Sequence, residues 1–312
     1  MQTGATPILF DTTLRGGVTV VDVSPAGDVL LVGQQGDDNA GLALGLWTLD
    51  GGSLDTALIS GKGVFPLAGC FSPDGRLVAY SDGEQRLALY DRLRRSTAGV
   101  ARPDVRFTKW ISFAQHSNRL IVGGTRTVVW DVEREHVLFT LPTEPLPETR
   151  AITPPACALS PDGNTVAASG VESGWILVYD VHTGTVVKRV ASAITHARSM
   201  AFDSTGRYLA AVARKGGAGL WDLLTDQPIL PELLNTRSDY YWQVRFRPNS
   251  MSVGLGLWSG FVELVRFPDG QFELNQATPF HARRVNAISF TADGTRMFTG
   301  GDDGCVLIWA LS

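Results

Sequence analysis

The sequence predicts an all-β fold, a seven-bladed β-propeller built of four-stranded antiparallel blades, on three observations. A turn recurs along the whole chain: Ser24-Pro25-Ala26-Gly27, Ser72-Pro73-Asp74-Gly75, Gln115-His116-Ser117-Asn118, Ser160-Pro161-Asp162-Gly163, Ser204-Thr205-Gly206, Arg247-Pro248-Asn249-Ser250 and Ala292-Asp293-Gly294. From Pro25 to Ala292 the steps between copies are 48, 42, 46, 43, 44 and 44 residues, and a period in the forties is that of a propeller blade. In register with the turn, the third strand of a copy ends in an aromatic, often followed by Asp: Trp47-Thr48, Tyr90-Asp91, Trp130-Asp131, Tyr179-Asp180, Trp221-Asp222 and Trp309-Ala310.

The template is residues 281–309, which reads as the strands VNAISF, TRMFTG and CVLIW separated by Asp-Gly turns. Glycine supplies the positive φ that such hairpin turns need. A single unit of this kind cannot bury its own faces, so it needs neighbours on both sides. The seven copies divide the chain, as one domain over 1–312, at approximately 17–60, 61–104, 105–148, 149–192, 193–236, 237–280 and 281–312. The last copy stops at its third strand, while a spare strand stands at residues 7–12, PILFDT. That N-terminal strand is expected to complete blade seven, since an open ring would leave an unpaired edge in the seam.

Taken in order, blade one carries an enlarged second turn at residues 34–41, whose adjacent acids lack the oxygen spacing of a calcium loop. Blade two is regular and exits through Arg92, Arg94 and Arg95. Blade three ends in a segment with five prolines between residues 142 and 155, read as a stiff exposed connection that either contacts a partner or is simply tolerated. Blades four and five return to pattern. Blade six departs from it: its third strand ends Val265-Arg266, and aromatics crowd its first strand in YYWQVRF.

The Trp-Asp pairs at Trp130-Asp131 and Trp221-Asp222, with the strand periodicity and turn in register, make the chain similar to the WD-repeat family over its full length. Its Arg bias (23 Arg to 4 Lys) and divergent copies resemble a bacterial member more than a eukaryotic one. The resemblance implies the same ring closure. It also implies that His281, Thr299, Asp303 and Trp309, which hold the ingredients of a hydrolytic triad, form a structural hydrogen-bond network instead. Thr299 lies ten residues and Asp303 six residues before Trp309, as that network requires. In the other copies the set is incomplete.

Nothing in the sequence argues for an enzyme; no catalytic residue, metal ligand or cofactor is expected. His116, His136, His182 and His196 fall in different copies, and Cys70, Cys157 and Cys305 lie far apart as small buried apolar residues of a reducing compartment. A net charge of −4 gives no general attraction to nucleic acid, and neither a secretory signal nor a membrane-length apolar run is present. The expectation is a cytoplasmic protein that engages neither nucleic acid nor membrane.

Function is expected where the copies deviate. The first strand of each blade lines the channel, so residues four and six before its terminal aromatic should ring the opening. With the residue before the second-turn acid, this collects Phe65, Phe107, Lys109, Arg198, Arg214, Tyr240, Trp242, Trp258 and Arg284 as partner-binding candidates. Aromatics and arginine are enriched in binding hot spots, although the blade-six aromatics could equally pack between blades. Together with the family resemblance, this points to a non-enzymatic scaffold that binds a protein or peptide on the rim face, acidic or phosphorylated to suit the arginines. The alternative is an enzymatic, metal-binding or small-molecule propeller using the channel. It would need acids or histidines clustered at the rim, and the candidates include none.

Overall fold

A computed structural model of the chain describes residues 6–12, 16–35, 41–61, 64–82, 84, 86–142, 155–172, 174–194, 197–213, 217–225, 227–233, 239–275 and 277–312, with 101–104 excepted. These form seven four-stranded antiparallel sheets. Blade 1 is β2 (Val18–Val23), β3 (Val29–Gln34), β4 (Leu42–Thr48) and β5 (Leu54–Ser60); blade 2 is β6 (Gly69–Phe71), β7 (Leu77–Ser81), β8 (Leu87–Asp91) and β9 (Ser96–Val100). Blade 3 is β10 (Trp110–Phe113), β11 (Arg119–Gly123), β12 (Thr127–Asp131) and β13 (His136–Thr140); blade 4 is β14 (Cys157–Leu159), β15 (Thr165–Glu172), β16 (Trp175–Asp180) and β17 (Val186–Ala191). Blade 5 is β18 (Ala197–Phe202), β19 (Tyr208–Ala213), β20 (Ala218–Asp222) and β21 (Gln227–Leu233); blade 6 is β22 (Tyr241–Phe246), β23 (Ser252–Leu257), β24 (Val262–Arg266) and β25 (Phe272–Leu274).

Blade 7 holds β26 (Val285–Phe290), β27 (Arg296–Gly301) and β28 (Val306–Ala310), and takes its fourth strand, β1 (Ile8–Phe10), from the other end of the chain. Ile8, Leu9 and Phe10 stand opposite Ile308, Leu307 and Val306. Phe10 is buried against Val18, Trp47 and Val306, which ties the closing strand to blade 1 as well as blade 7.

The apolar core lies between blades rather than within one. Each of seven buried clusters among the described residues joins two neighbours, as where Val262 and Leu264 of blade 6 meet Val285, Ile288 and Trp309 of blade 7. Inner strands are therefore covered on both faces: β3 and β23 are buried at every position. Fourth strands are far less covered: β5, β13 and β17 are exposed or half-buried at nearly every position. The template shows three apolar runs for a four-stranded blade because its fourth strand, β1, comes from the other end of the chain.

The recurring polar residues close turns. Ser72 Oγ donates to Asp74 Oδ1 at 2.5 Å and accepts from Leu77 N–H at 2.8 Å; Ser160 and Asp162 repeat the arrangement, and Thr291 and Asp293 do so in blade 7. The glycine of this turn has φ near +70° at Gly27, Gly75, Gly163, Gly206 and Gly294, whereas in blade 6 the positive φ falls one residue earlier, on Asn249 at 56°. The Asp that follows the third-strand aromatic caps the next turn: Asp91, Asp131 and Asp180 each accept two backbone N–H groups through Oδ1. Some of the many arginines act as clamps from one blade to the next. Arg119 donates to Gly163 O, Arg247 to Gly294 O and Arg296 to Gly27 O, in each case the turn glycine of the following blade.

The three cysteines are free and half-buried rather than fully buried. Burial holds the Cys70 thiol above its ordinary value and pushes Cys157 up to about 12, so neither is a ready nucleophile. The enlarged turn of blade one at 36–40 and the proline-rich stretch over 143–154 lie outside the described residues.

Candidate functional site

Four blades share a bulge at one position of the first strand. Pairing skips Thr19 between Val18 and Val20, Arg198 between Ala197 and Ser199, Trp242 between Tyr241 and Gln243, and Asn286 between Val285 and Ala287. A bulge puts two residues opposite one and re-aims the extra side chain. All four extra residues line the central channel, a cavity of about 760 Å³ to which every blade contributes. The simple alternation assumed from sequence finds these positions but misses the device that turns them inward. Its trace in the sequence is a pair of adjacent polar or aromatic residues inside a strand, Arg198-Ser199 and Trp242-Gln243.

At the mouth, Trp242 of blade 6 meets an arginine from the blade on each side. Arg198 Cζ lies 3.9 Å and Arg284 Cζ 4.3 Å from the centre of its ring. Trp258 packs edge-on to Trp242 with centroids 5.1 Å apart and is also reached by Arg284 at 4.9 Å. Each cation–π contact contributes about 0.5–2 kcal/mol, toward the upper end when desolvated. Arg284 pairs with Asp302, its Nη2 lying 2.9 Å from Oδ2. Asn286 Nδ2 donates to the same carboxylate at 2.6 Å and to Val18 O at 2.8 Å, joining blades 7 and 1. Burial, then the neighbouring Arg284, pushes the Arg198 guanidinium down to about 10; burial and then Arg198 hold the Lys109 ammonium below its ordinary value.

Of the residues expected at the rim, Phe65, Phe107, Lys109, Arg198, Trp242 and Arg284 line the channel. Phe107 sits in the left-handed region at φ 52°, a strained conformation for a bulky residue. Tyr240 and Trp258 stand beside the cavity rather than in its wall, each 41 % exposed. Trp258 N–H donates to Tyr240 O, holding the two together. Arg214 lies outside the described residues.

A polar tier not anticipated from sequence joins the first strands of neighbouring blades. Asp22 of blade 1 accepts from Phe71 N–H of blade 2 and from Ser289 Oγ of blade 7, both at 2.8 Å. Burial outweighs these bonds and the nearby Arg245 charge and raises its carboxyl above the ordinary value. Ser199 Oγ donates to Gln243 Oε1, and Gln243 Nε2 to Asn286 O, linking blades 5, 6 and 7. A lone Asp or Arg in a strand of otherwise apolar residues was the available signal.

The template set is connected inside blade 7. Trp309 Nε1 donates to Thr299 Oγ1 at 3.0 Å, Thr299 Oγ1 lies 2.8 Å from His281 Nε2, and His281 Nδ1 lies 3.1 Å from Asp303 Oδ1. The tautomer with Nδ1–H donating to Asp303 leaves Nε2 to accept the threonine hydroxyl. Asp303 also accepts from Ala282 N–H and Cys305 N–H. His281, Thr299 and Trp309 are wholly buried, so the hydroxyl and imidazole offer no surface to a substrate. Among the described residues no group of three or more His, Cys, Asp or Glu could hold a metal ion.

Residues 273–310 match the family model described as WD domain, G-beta repeat. The matched segment begins in β25 of blade 6 and runs through β28, so the sequence repeat straddles two blades. Over 173 residues, 50% of this chain, the sequence is 24% identical to a protein of Neurospora crassa named periodic tryptophan protein 2 homolog. That match spans only 19% of the fungal protein's length.

Proposed function

The chain being a WD-repeat β-propeller, a fold that generally mediates protein interactions, we propose that it is a non-enzymatic scaffold whose rim face, around the mouth of the channel, binds a protein or peptide. One observation carries this reading: Trp242 and Trp258 are held at the mouth by Arg198 and Arg284 instead of being spent between blades. Pre-ordered aromatic and arginine side chains bind with little further loss of conformational freedom. The surrounding cations suit an acidic or phosphorylated segment. The half-buried free cysteines suit a reducing compartment such as the cytoplasm.

The test is to replace Trp242 and Arg284 together, as Trp242→Ala and Arg284→Gln, and compare the proteins captured by wild type and variant from the source cell by mass spectrometry. Loss of a defined partner with an unchanged melting temperature is the expected result. Recovery of the same partners by both forms would remove the rim from consideration. The second reading, a small-molecule propeller, is favoured by the channel volume of about 760 Å³, which lies within the range of ligand sites. A ligand that raises the melting temperature of both forms alike, without affecting capture, would favour it.

A further inference from the structure

We infer that the entry to blade 3 is a two-register switch, in which the backbone before β10 slides by one residue and moves Phe107 into or out of its present place in the channel wall. The inference stands apart from the rim being a partner surface. It comes from comparing the same hydrogen bond in four blades. In blades 1, 6 and 7, the backbone bond just outside the ladder of the first two strands runs from Gln35 N–H to Gly17 O, from Trp258 N–H to Tyr240 O and from Asp302 N–H to Arg284 O. Each accepting residue stands two positions before the bulge residue, which is Thr19, Trp242 or Asn286.

Blade 3 departs from this. Trp110 stands opposite Gly123 as Ala287 stands opposite Gly300, and Lys109 before it takes the bulge position, its N–H donating to Gly123 O at 2.8 Å. The equivalent outer bond runs from Thr125 N–H to Arg106 O, three positions before Lys109 rather than two. One residue more than in the other three blades is therefore held between fixed points. The surplus appears as Phe107 at φ 52°, whereas Gly17, Tyr240 and Arg284 have no positive φ.

Each register has a hold and a cost. The present one is held by Arg106, whose N–H also donates to Thr125 Oγ1 at 3.2 Å, and by Gly124, where a Cβ would meet Arg106 O at 2.3 Å. Its costs are a bulky residue in the left-handed region and the Thr108 hydroxyl, wholly buried without a hydrogen-bond partner among the described residues. In the other register Phe107 O takes over the Thr125 N–H, as Arg284 O does for Asp302, and the backbone at Phe107 returns to the ordinary strand region. The spare residue passes into the connection between β9 and β10, and the N–H of the exposed Arg106 turns to water. Exchanging one hydrogen bond for relief of strain gives two discrete arrangements of similar free energy, which is what a bistable element requires. The slide reaches the channel because Phe107 lines both it and a hollow of about 330 Å³ shared with Glu84, Arg86 and Arg106.

Two variants of the full chain each fix one register. Phe107→Gly removes the cost of a positive φ and holds the present one; deletion of Phe107 removes the surplus residue and imposes the other. Relaxation dispersion and saturation transfer at backbone amides read exchange on the μs–ms scale. In the wild type, the Thr108 and Thr125 amides should exchange with a minor state of about 0.1–10 %, and neither variant should show that exchange. The shift difference extracted at Thr125 should match the difference between the spectra of the two variants. The deletion should leave Tm at or above wild type, although loss of a residue at a strand entry ordinarily lowers it. Absence of exchange at Thr125 in the wild type, a shift difference unrelated to the variants, or a Tm lowered by the deletion would each overturn the inference. Phe107→Leu, which keeps both the surplus residue and a bulky side chain, should still exchange; a Leu variant without exchange would tie the motion to the aromatic ring and overturn it likewise.

Discussion

In blade 7, a hydroxyl, an imidazole, a carboxylate and an indole are joined in one network, and all but the carboxylate are sealed from water. In blade 6, the strand register puts Leu255 where blade 7 has Thr299 and Val265 where it has Trp309, and both are buried among apolar neighbours. Blade 6 instead carries its tryptophans at the channel mouth, against arginines from the blades on either side. The two blades share one frame and one kind of neighbour, yet place their costly side chains at opposite ends of the hydrogen-bonding problem. A closed internal network fixes geometry and leaves nothing to offer a ligand. Side chains held at a mouth by cation–π contacts remain available to one.

The sharpest test of the frame is at its seam. Removing residues 1–13 takes away β1, its ladder to β28 and the burial of Phe10. The expected loss is about 4 kcal/mol, a fall of roughly 8 °C in Tm; an unchanged Tm would sink the closure. Within blade 7, His281→Ala leaves Thr299 and Asp303 without their shared partner and should cost about 3 kcal/mol. Partner capture by the folded fraction should be unaltered, and a loss of capture at full stability would break the division between the two blades.

Trp258→Ala should do the reverse. It should weaken partner binding by about 2 kcal/mol, roughly thirtyfold, with Tm close to wild type, because the ring is 41 % exposed. A drop in Tm matching that of His281→Ala would mean that the tryptophan is structural after all. The smallest effect is acid sensitivity. Burial works to raise the Asp303 carboxyl, but the hydrogen bond and charge of His281 and two backbone N–H groups outweigh it and hold it below the ordinary value. A carboxyl depressed in this way stabilises the fold above about pH 4 and loses that contribution as pH falls through its lower folded value. Asp303→Asn should therefore flatten the decline of Tm between roughly pH 4 and pH 2; parallel curves for the two proteins would remove Asp303 from the acid response.

How far the chain could be read in advance depended on which groups were covered. The inner strands were legible because both faces are buried, giving runs such as those of β3 and β23. Fourth strands such as β13, exposed along much of their length, left no such run. The template network was legible because its members stand at fixed spacings in one repeat. The rim was legible only as positions. The cross-blade tie of Asp22 to Phe71 and Ser289 joins residues 49 and 267 positions apart, and no local pattern records it.

By itself the sequence determined the number of blades, the turns between their strands, the closure by an N-terminal strand and the irregularity of blade 6. These follow from local periodicity, from glycine at positive φ and from short polar side chains that cap their own turns. The tertiary structure decided which side chains meet at the mouth. Bulges at Arg198, Trp242 and Asn286 turn single residues inward, and the ring brings blades 5, 6 and 7 side by side. The stack of Trp242 with Arg198 and Arg284 therefore joins residues more than 40 positions apart, through a channel that exists only once the ring has closed.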